Sequence, residues 1–376
     1  MRGRFPTMDF HLSDGQQLLV NTAREFLRRH CPPEAVAESA SSERGFSAEL
    51  WKEISVLGWP GLLIPAEYGG SDGTIVDVSL LVEEMGRACF PSPYVSSAVV
   101  ATSLLVDAGS PTQRERLLPS MARGDRLCVL ALTEESASID PQAVRLEGGP
   151  GGRLSGRKLF VNDAHVADDL IVVARGATGL NLLLLDARRP GVTVLPMQAL
   201  AGNSPCEVSF DSVEVQAGDL LGQAGHGWET LEGALQAGAL ARAAEMVGCA
   251  QRILELCVEH AKGRRQFGRP LGSFQAVQHA CADLLRDVET ARCLLHSAAW
   301  RKQEGLPCTS DVAMAKAYAG RTSQAVARKA HQLLGAISFC EEHPLHLFHK
   351  RILAAGLEFG DPAHHLETVA SAIGLV

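Results

Sequence analysis

The sequence predicts an α+β multi-domain protein: a helical N-terminal domain, a central β domain and a C-terminal four-helix bundle. Three observations predict it. Apolar residues recur at helical spacing through the first third of the chain. From Arg126 the texture changes to short β-branched or alternating runs, separated by Gly, Pro, Asn and Asp. From Gly227 helical periodicity returns, in long stretches with short connections. The expected boundaries are 1–125, 126–222 and 223–376. A chain of 376 residues also exceeds what one ordinary core organises.

Taken in order, DGQQLLVNTAREFLRRH carries Leu18, Leu19, Thr22, Phe26 and Leu27 at helical spacing, with Ser13 and Asp14 as cap candidates. SAELWKEISVLGW repeats the pattern through Leu50, Ile54 and Leu57, and Gly58 ends it. IVDVSLLVEEMGRA, SSAVVATSLLVDAGS and TQRERLLPSMARGD give further helices. The strand candidates are LCVLALTEE, RLSGRKLFVND, DLIVVAR, NLLLLDA, GVTVLP and CEVSFDSVEV. LEGGPGGRLSG reads as a hairpin-type connector. It is a poor phosphate loop, because no helix pattern follows it. The bundle helices are expected over Glu229–Lys262, Ser273–Glu304, Ser310–Leu334 and a tail after Pro344. There is no internal repeat.

Composition narrows the function. Apolar residues make up 46% and charged residues 21%, as in a soluble globular protein. A net charge of −8 lacks the basic footprint of a nucleic-acid binder. No apolar run reaches the roughly 18 residues of a membrane span. The opening MRGRFPTMDF has no apolar core of a secretory signal, so a cytoplasmic protein is expected, with Met8 an alternative start to Met1. None of the ten cysteines forms a C-x-x-C pair, and Cys249, Cys257, Cys281 and Cys293 fall within helical patterns. They are expected to be reduced and buried rather than a disulfide framework.

The most informative stretch is HAKGRRQFGRPLGSFQAVQHACAD, His260 to Asp283. A cationic, glycine-punctuated turn with an apolar Phe267 interrupts a helical pattern, which then resumes. Taken alone it is equally a solvated basic turn. Its pattern R-x-Q-F-G-x-P-x-x-x-F-Q-x-V-x-H-x-x-A-D closely resembles the signature of the acyl-CoA dehydrogenases, through Arg264, Gln266, Phe267, Gly268, Pro270, Phe274, Gln275, Val277, His279, Ala282 and Asp283. Further segments agree in order: ALTE at Ala131–Glu134, LSGRKLFVND at Leu154–Asp163, and HQLLGA at His331–Ala336. DFHLSDGQQLL and LIPAEYGGSDG also match, so the resemblance covers essentially the whole chain.

The resemblance implies a β-barrel-like central domain, bound FAD, and α,β-dehydrogenation of an acyl-CoA thioester, with electrons passing to an electron-transferring flavoprotein. It also implies a homotetramer, or a heterotetramer with a paralogous subunit. The Arg264 turn is then expected to reach the FAD of a neighbouring subunit. Arg264 would supply charge to the pyrophosphate, and Phe267 an apolar face to the adenosine half. Leu132 and Thr133 are expected along the flavin ring. Phe160 takes the place of the family's tryptophan beside it, and Asn162 that of a threonine or serine. Gln266, Gln275, Gln332 and Gly335 complete the expected cofactor set, with Ala336 replacing a second glycine.

The reaction needs a carboxylate in a dry pocket to take the α-proton. The family places it in one of two positions. The first lies about fifteen residues beyond a proline, in Y-E-G-T; counted from Pro344 it is Phe359, within LEFGDP. The second lies about 29 residues before the signature phenylalanine, and here it is Gly238, followed by Ala239, with Arg242 one turn on. Near the CoA end, T-E-P-G-A-G-S-D reads TEESASID, so Ile139 replaces a serine and Ser136 and Ser138 replace glycines. Three readings are open. Glu358, one residue from the first position, is the base; or Glu232, Glu245 or Asp361 is; or the chain is a base-less subunit that completes a partner's FAD site.

Other chemistry has little support. His343, His346 and His349 have i, i+3, i+6 spacing, but a polar helix face is expected there rather than a metal. His364 and His365 are read as surface or subunit contacts. No nucleophile elbow and no dinucleotide-binding glycine motif is present. An oxidase, or a nitroalkane- or amine-oxidising flavoenzyme on the same scaffold, is the remaining alternative.

Overall fold

In the computed structural model, residues 11–201 and 204–375 are described; the alternative start at Met8 lies outside them. The first helix, α1 (Asp14–His30), starts at its cap: Ser13 Oγ accepts the Gln16 N–H while Gln16 Oε1 accepts the Ser13 N–H. Leu27 and Ala23 face the core, but Leu18 and Thr22 face solvent, so the apolar stripe is narrower than the sequence reading. Then come α2 (Pro33–Ser41), α3 (Ala48–Val56) and α4 (Ile75–Arg87). A wide π-helical segment, Tyr94–Ala101, runs into α5 (Thr102–Ala108), and α6 (Pro111–Ala122) follows. Leu57, expected to continue the apolar face of α3, is largely exposed.

The strands are β1 (Cys128–Ala131), β2 (Arg153–Asn162), β3 (Asp169–Arg175), β4 (Leu180–Asp186), β5 (Val192–Pro196), β6 (Pro205–Glu214) and the two-residue β7 (Leu220–Leu221). They form two open sheets, β1-β3-β4-β7 and β2-β6-β5. The barrel-like expectation thus takes the form of two facing sheets rather than a closed barrel. The segment before β2 is not a hairpin, because β2 pairs with β6 and β1 lies parallel to β3. Leu170, Val172 and Ala174 of β3 face the core between the sheets, while Ile171 and Val173 face α5 and α6. Burial on both faces is why β3 and β4 read as continuous apolar runs.

The C-terminal helices are α7 (Gly227–Gly263), α8 (Gln275–Gln303), α9 (Thr309–Leu334), α10 (Leu345–Leu357) and α11 (Pro362–Ala372). A two-strand hairpin, β8 (Arg265–Gln266) with β9 (Arg269–Pro270), joins α7 to α8. The expected fourth bundle helix is two helices, because the chain breaks at 358–361. Phe359 and Gly360 both take positive φ there, and Asp361 caps α11 ahead of Pro362.

One core joins the N-terminal and C-terminal helices: Leu27, Leu81 and Met85 pack with Leu240, Val247, Val288 and Ile352. Two glycines allow α4 and α7 to cross closely. A Cβ on Gly86 would lie 2.1 Å from Glu245 O, and one on Gly248 1.9 Å from Glu83 O. All ten cysteines are free; against the expectation of burial, Cys281 is only partly buried, and Cys293 and Cys340 are exposed. Among the described residues no helix is long and apolar enough to cross a membrane.

Candidate active site

A cavity of about 710 Å³ lies where the β1 and β2 ends meet α7, α10 and the 358–361 turn. That volume suits a ligand of cofactor or drug size. Its apolar lining includes Val100, Leu130, Leu132, Ile139, Leu235 and Leu353. Its polar lining includes Ser96, Thr133, Asn162, Glu358 and Asp361.

Local chemistry brings the β-domain residues here. Lys158 is fully buried, and its ammonium donates to Leu132 O (2.9 Å) and Glu134 Oε1 (2.6 Å). Burial lowers the Lys158 pKa and the Glu134 contact partly offsets this. The pair ties the end of β1 to β2. Beyond it the β2–β6 register slips between Lys158 and Val161, and Phe160 takes φ 57°. This bulge leaves the Phe160 ring 47% exposed at the cavity. Thr133 Oγ1 donates to Leu159 O at 2.5 Å, so towards a ligand it offers only acceptor lone pairs. Asn162 Oδ1 is buried in the cavity wall without a hydrogen-bond partner among the described residues. A buried orphan acceptor beside apolar walls and an open aromatic face fits an amphipathic ring such as the flavin.

The opposite chemistry stands on the 358–361 turn. Arg242 Nε and Nη2 both reach Glu358 Oε2 at 2.8 Å, and Arg242 Nη1 reaches Glu245 Oε2 at 2.6 Å. Burial works against the Arg242 charge, but Glu358 and Glu245 outweigh it and raise its pKa. Glu358 Oε1 has no hydrogen-bond partner among the described residues. The other carboxylates considered fare differently. Glu232 is exposed and does not line the cavity. Glu245 is buried in its ion pair, with Arg351 Nε 3.6 Å away. Asp361 lines the cavity, but its Oδ1 caps α11 through the His364 N–H.

Phe359 and Gly238, the two positions where a base was sought, face each other. A Cβ on Gly238 would lie 3.0 Å from Phe359 Cδ1, Cδ2 and Cε1. The ring thus fills the space of both missing carboxylates. Nearby, Asp163 Oδ2 accepts from Ser96 Oγ at 2.5 Å, and burial pushes the Asp163 carboxyl up to about 6, against the pull of Ser96 and Arg242.

The remaining predicted residues lie away from the cavity. Arg264, Gln266, Phe267 and Gln275 are exposed at the α7–α8 turn, with Phe267 89% exposed at the hairpin tip. Its ring meets Phe274 edge-on at 6.1 Å, and Arg269 lies 4.0 Å above Phe274. Gln332 and Gly335 are exposed at the end of α9, Gly335 with φ 72°. One chain therefore does not join these two groups to Thr133, Phe160 and Asn162. His343 precedes α10, so the three histidines do not share one helix. His365, expected at the surface, is buried with Nε2 3.0 Å from Phe359 O. Sequence reasoning did not find Arg242 as the partner of Glu358, took His365 for a surface or subunit contact, and did not single out Lys316. Only Gly360 signalled a special turn there.

The chain matches the N-terminal domain of acyl-CoA dehydrogenases over residues 13–125, the middle domain over 129–213 and the C-terminal domain over 225–374. It is 30% identical over 356 residues to an acryloyl-CoA reductase (NADH) of Anaerotignum propionicum, covering 91% of this chain and 90% of the relative. The fold is similar to butyryl-CoA dehydrogenase from Megasphaera elsdenii, with a TM-score of 0.90, 29% identity, and coverage of 97% of this chain and 100% of that one. It is similar also to a chain of the ChsE4-ChsE5 complex from Mycobacterium tuberculosis, with a TM-score of 0.89, 28% identity, and coverage of 98% and 100%.

Proposed function

The chain belongs to the acyl-CoA dehydrogenase family, and from that premise we propose that it binds FAD and oxidises an acyl-CoA thioester to its 2-enoyl form, with Glu358 as the base. The observation that carries this is one cavity lined both by Thr133, Phe160 and Asn162 and by the Glu358 carboxylate. When bound, FAD supplies the acceptor for the β-hydrogen, leaving as hydride. The protein's own residues do the rest. Leu130, Leu132, Leu235 and Ile139 exclude water from the acyl group. Arg242 fixes Glu358 by Oε2, which leaves Oε1 to take the α-proton. The unpartnered Asn162 Oδ1 and the lone pairs of the Thr133 hydroxyl would accept hydrogen bonds from the flavin ring. Arg264, Gln266, Phe267, Gln275, Gln332 and Gly335 are assigned to the FAD of a neighbouring subunit in a tetramer. The electrons then pass to an electron-transferring flavoprotein.

A specific observation favours a second reading. Phe359 packs on Gly238, so both family base positions are apolar, as in a subunit that only completes a partner's FAD site. Anaerobic titration of the FAD-loaded protein with a panel of acyl-CoAs separates the two. Bleaching of the flavin by one thioester supports the first reading, and Glu358→Gln should then slow it about 10²–10⁴-fold, the usual contribution of a general base. Firmly bound FAD that no thioester bleaches refutes Glu358 as the base and favours the second.

A further inference from the structure

The Glu358–Phe359 turn is held by groups that no part of the reaction above uses. Lys316, on α9, is 1% exposed. Its Nζ lies 3.0 Å from Gly356 O and 3.0 Å from Gly360 O, one carbonyl on each side of the turn. His365, on α11, is also buried, and its Nε2 lies 3.0 Å from Phe359 O. Three of the five carbonyls from 356 to 360 are therefore bonded by buried side chains from other helices. Phe359 sits at φ 55° and Gly360 at φ 95°. A phenylalanine at positive φ is strained and persists only where its surroundings impose it. Gly360 is required as well, since a Cβ there would lie 2.7 Å from His364 Cδ2 and 2.8 Å from His365 Nε2.

From this geometry we propose that Lys316 and His365 are positioning residues: together they impose the turn that carries the Glu358 carboxylate and the Phe359 ring into the cavity. The proposal rests on the reading of Glu358 as the base. Its chemistry tolerates a change of protonation. Bonding two carbonyls takes two N–H groups, which a neutral amine still has. Burial lowers the Lys316 pKa to about 7, partly offset by Glu358, while Arg242 pushes it further down and Asp361 pulls it up. Burial, with Lys316 and His364 nearby, lowers His365 to about 4 against the pull of Asp361, so its neutral form keeps an Nε2–H for the Phe359 carbonyl. The three bonds of this clamp are thus expected to persist as Lys316 titrates, since the neutral amine keeps its donors.

The test uses the FAD-loaded protein and the acyl-CoA that bleaches wild type. Lys316→Met keeps length and removes both donors; His365→Phe removes the third, and His365→Gln restores an N–H near Nε2. Lys316→Met should slow bleaching about 100-fold, the effect of an ångström-scale misplacement, with FAD content unchanged. His365→Phe should slow it, and His365→Gln should recover most of the rate. Lys316→Met combined with Glu358→Gln should be no slower than Glu358→Gln alone, because both act through one carboxylate. Additive losses would overturn the proposal. Should Glu358→Gln leave bleaching unchanged, the base assignment fails instead, and amide hydrogen exchange then decides the clamp. Lys316→Met should speed exchange across 356–361 while α9 stays protected. Unchanged exchange there overturns the proposal whatever the activity.

Discussion

Gly238→Ala sets two effects of opposite sign against each other. Within a helix, alanine is favoured over glycine by about 0.5–1 kcal/mol. The new methyl would lie 3.0 Å from three atoms of the Phe359 ring, well inside the 3.5–4.0 Å of a comfortable carbon contact. If the ring were wedged, overpacking would cost about 1–3 kcal/mol. The ring is only partly buried and borders the cavity, so it has room to retreat. We therefore expect stability within about 1 kcal/mol of wild type, and weaker thioester binding as the ring enters the acyl space. A comparable loss of about 1 kcal/mol in binding is about a fivefold rise in Kd. Urea unfolding reads the first quantity; titration with an enoyl-CoA, followed by the flavin band, reads the second. A stability loss above about 2 kcal/mol with unchanged thioester affinity would show a wedged ring that is no wall of the ligand cavity, and the reasoning would fail.

Three further outcomes follow from the same contacts. Arg242→Leu removes the cation that Glu358 and Glu245 share, leaving Arg351 beside Glu245 alone, and should destabilise by about 3–5 kcal/mol in denaturant unfolding; a loss below about 1 kcal/mol would mean the pair is solvated. Asp163 has its pKa raised to about 6 by burial, so its contribution to stability is full below its ordinary value of 3.8 and is lost as pH rises through 6. Asp163→Asn should thus gain on wild type between pH 4 and pH 6.5, by up to about 3 kcal/mol, and a flat difference across that range would contradict the shift. Arg264→Glu should lower the FAD-to-protein ratio after gel filtration, and undiminished FAD would remove Arg264 from the cofactor site.

Much of this molecule was legible in the sequence, because periodicity and local turn chemistry report which residues are buried. All six strand runs and the main helices followed from it, as did a glycine-punctuated turn near Gly268; that this turn is a two-strand hairpin with positive φ at both Phe267 and Gly268 came only with the structure. Counting from Pro344 and Phe267 reached Phe359 and Gly238, and the two proved to be in contact. Periodicity says that a face is buried but not against what. Hence the sequence alone did not reveal that β1 lies parallel to β3, that α4 crosses α7 on Gly86 and Gly248, or that α10 and α11 part at Glu358. Arg242 is 116 residues from Glu358, and Lys316 is 40 and 44 residues from the two carbonyls it bonds. Contacts between such distant residues depend on how α7, α9, α10 and α11 pack, so only the tertiary structure decided what surrounds the carboxylate.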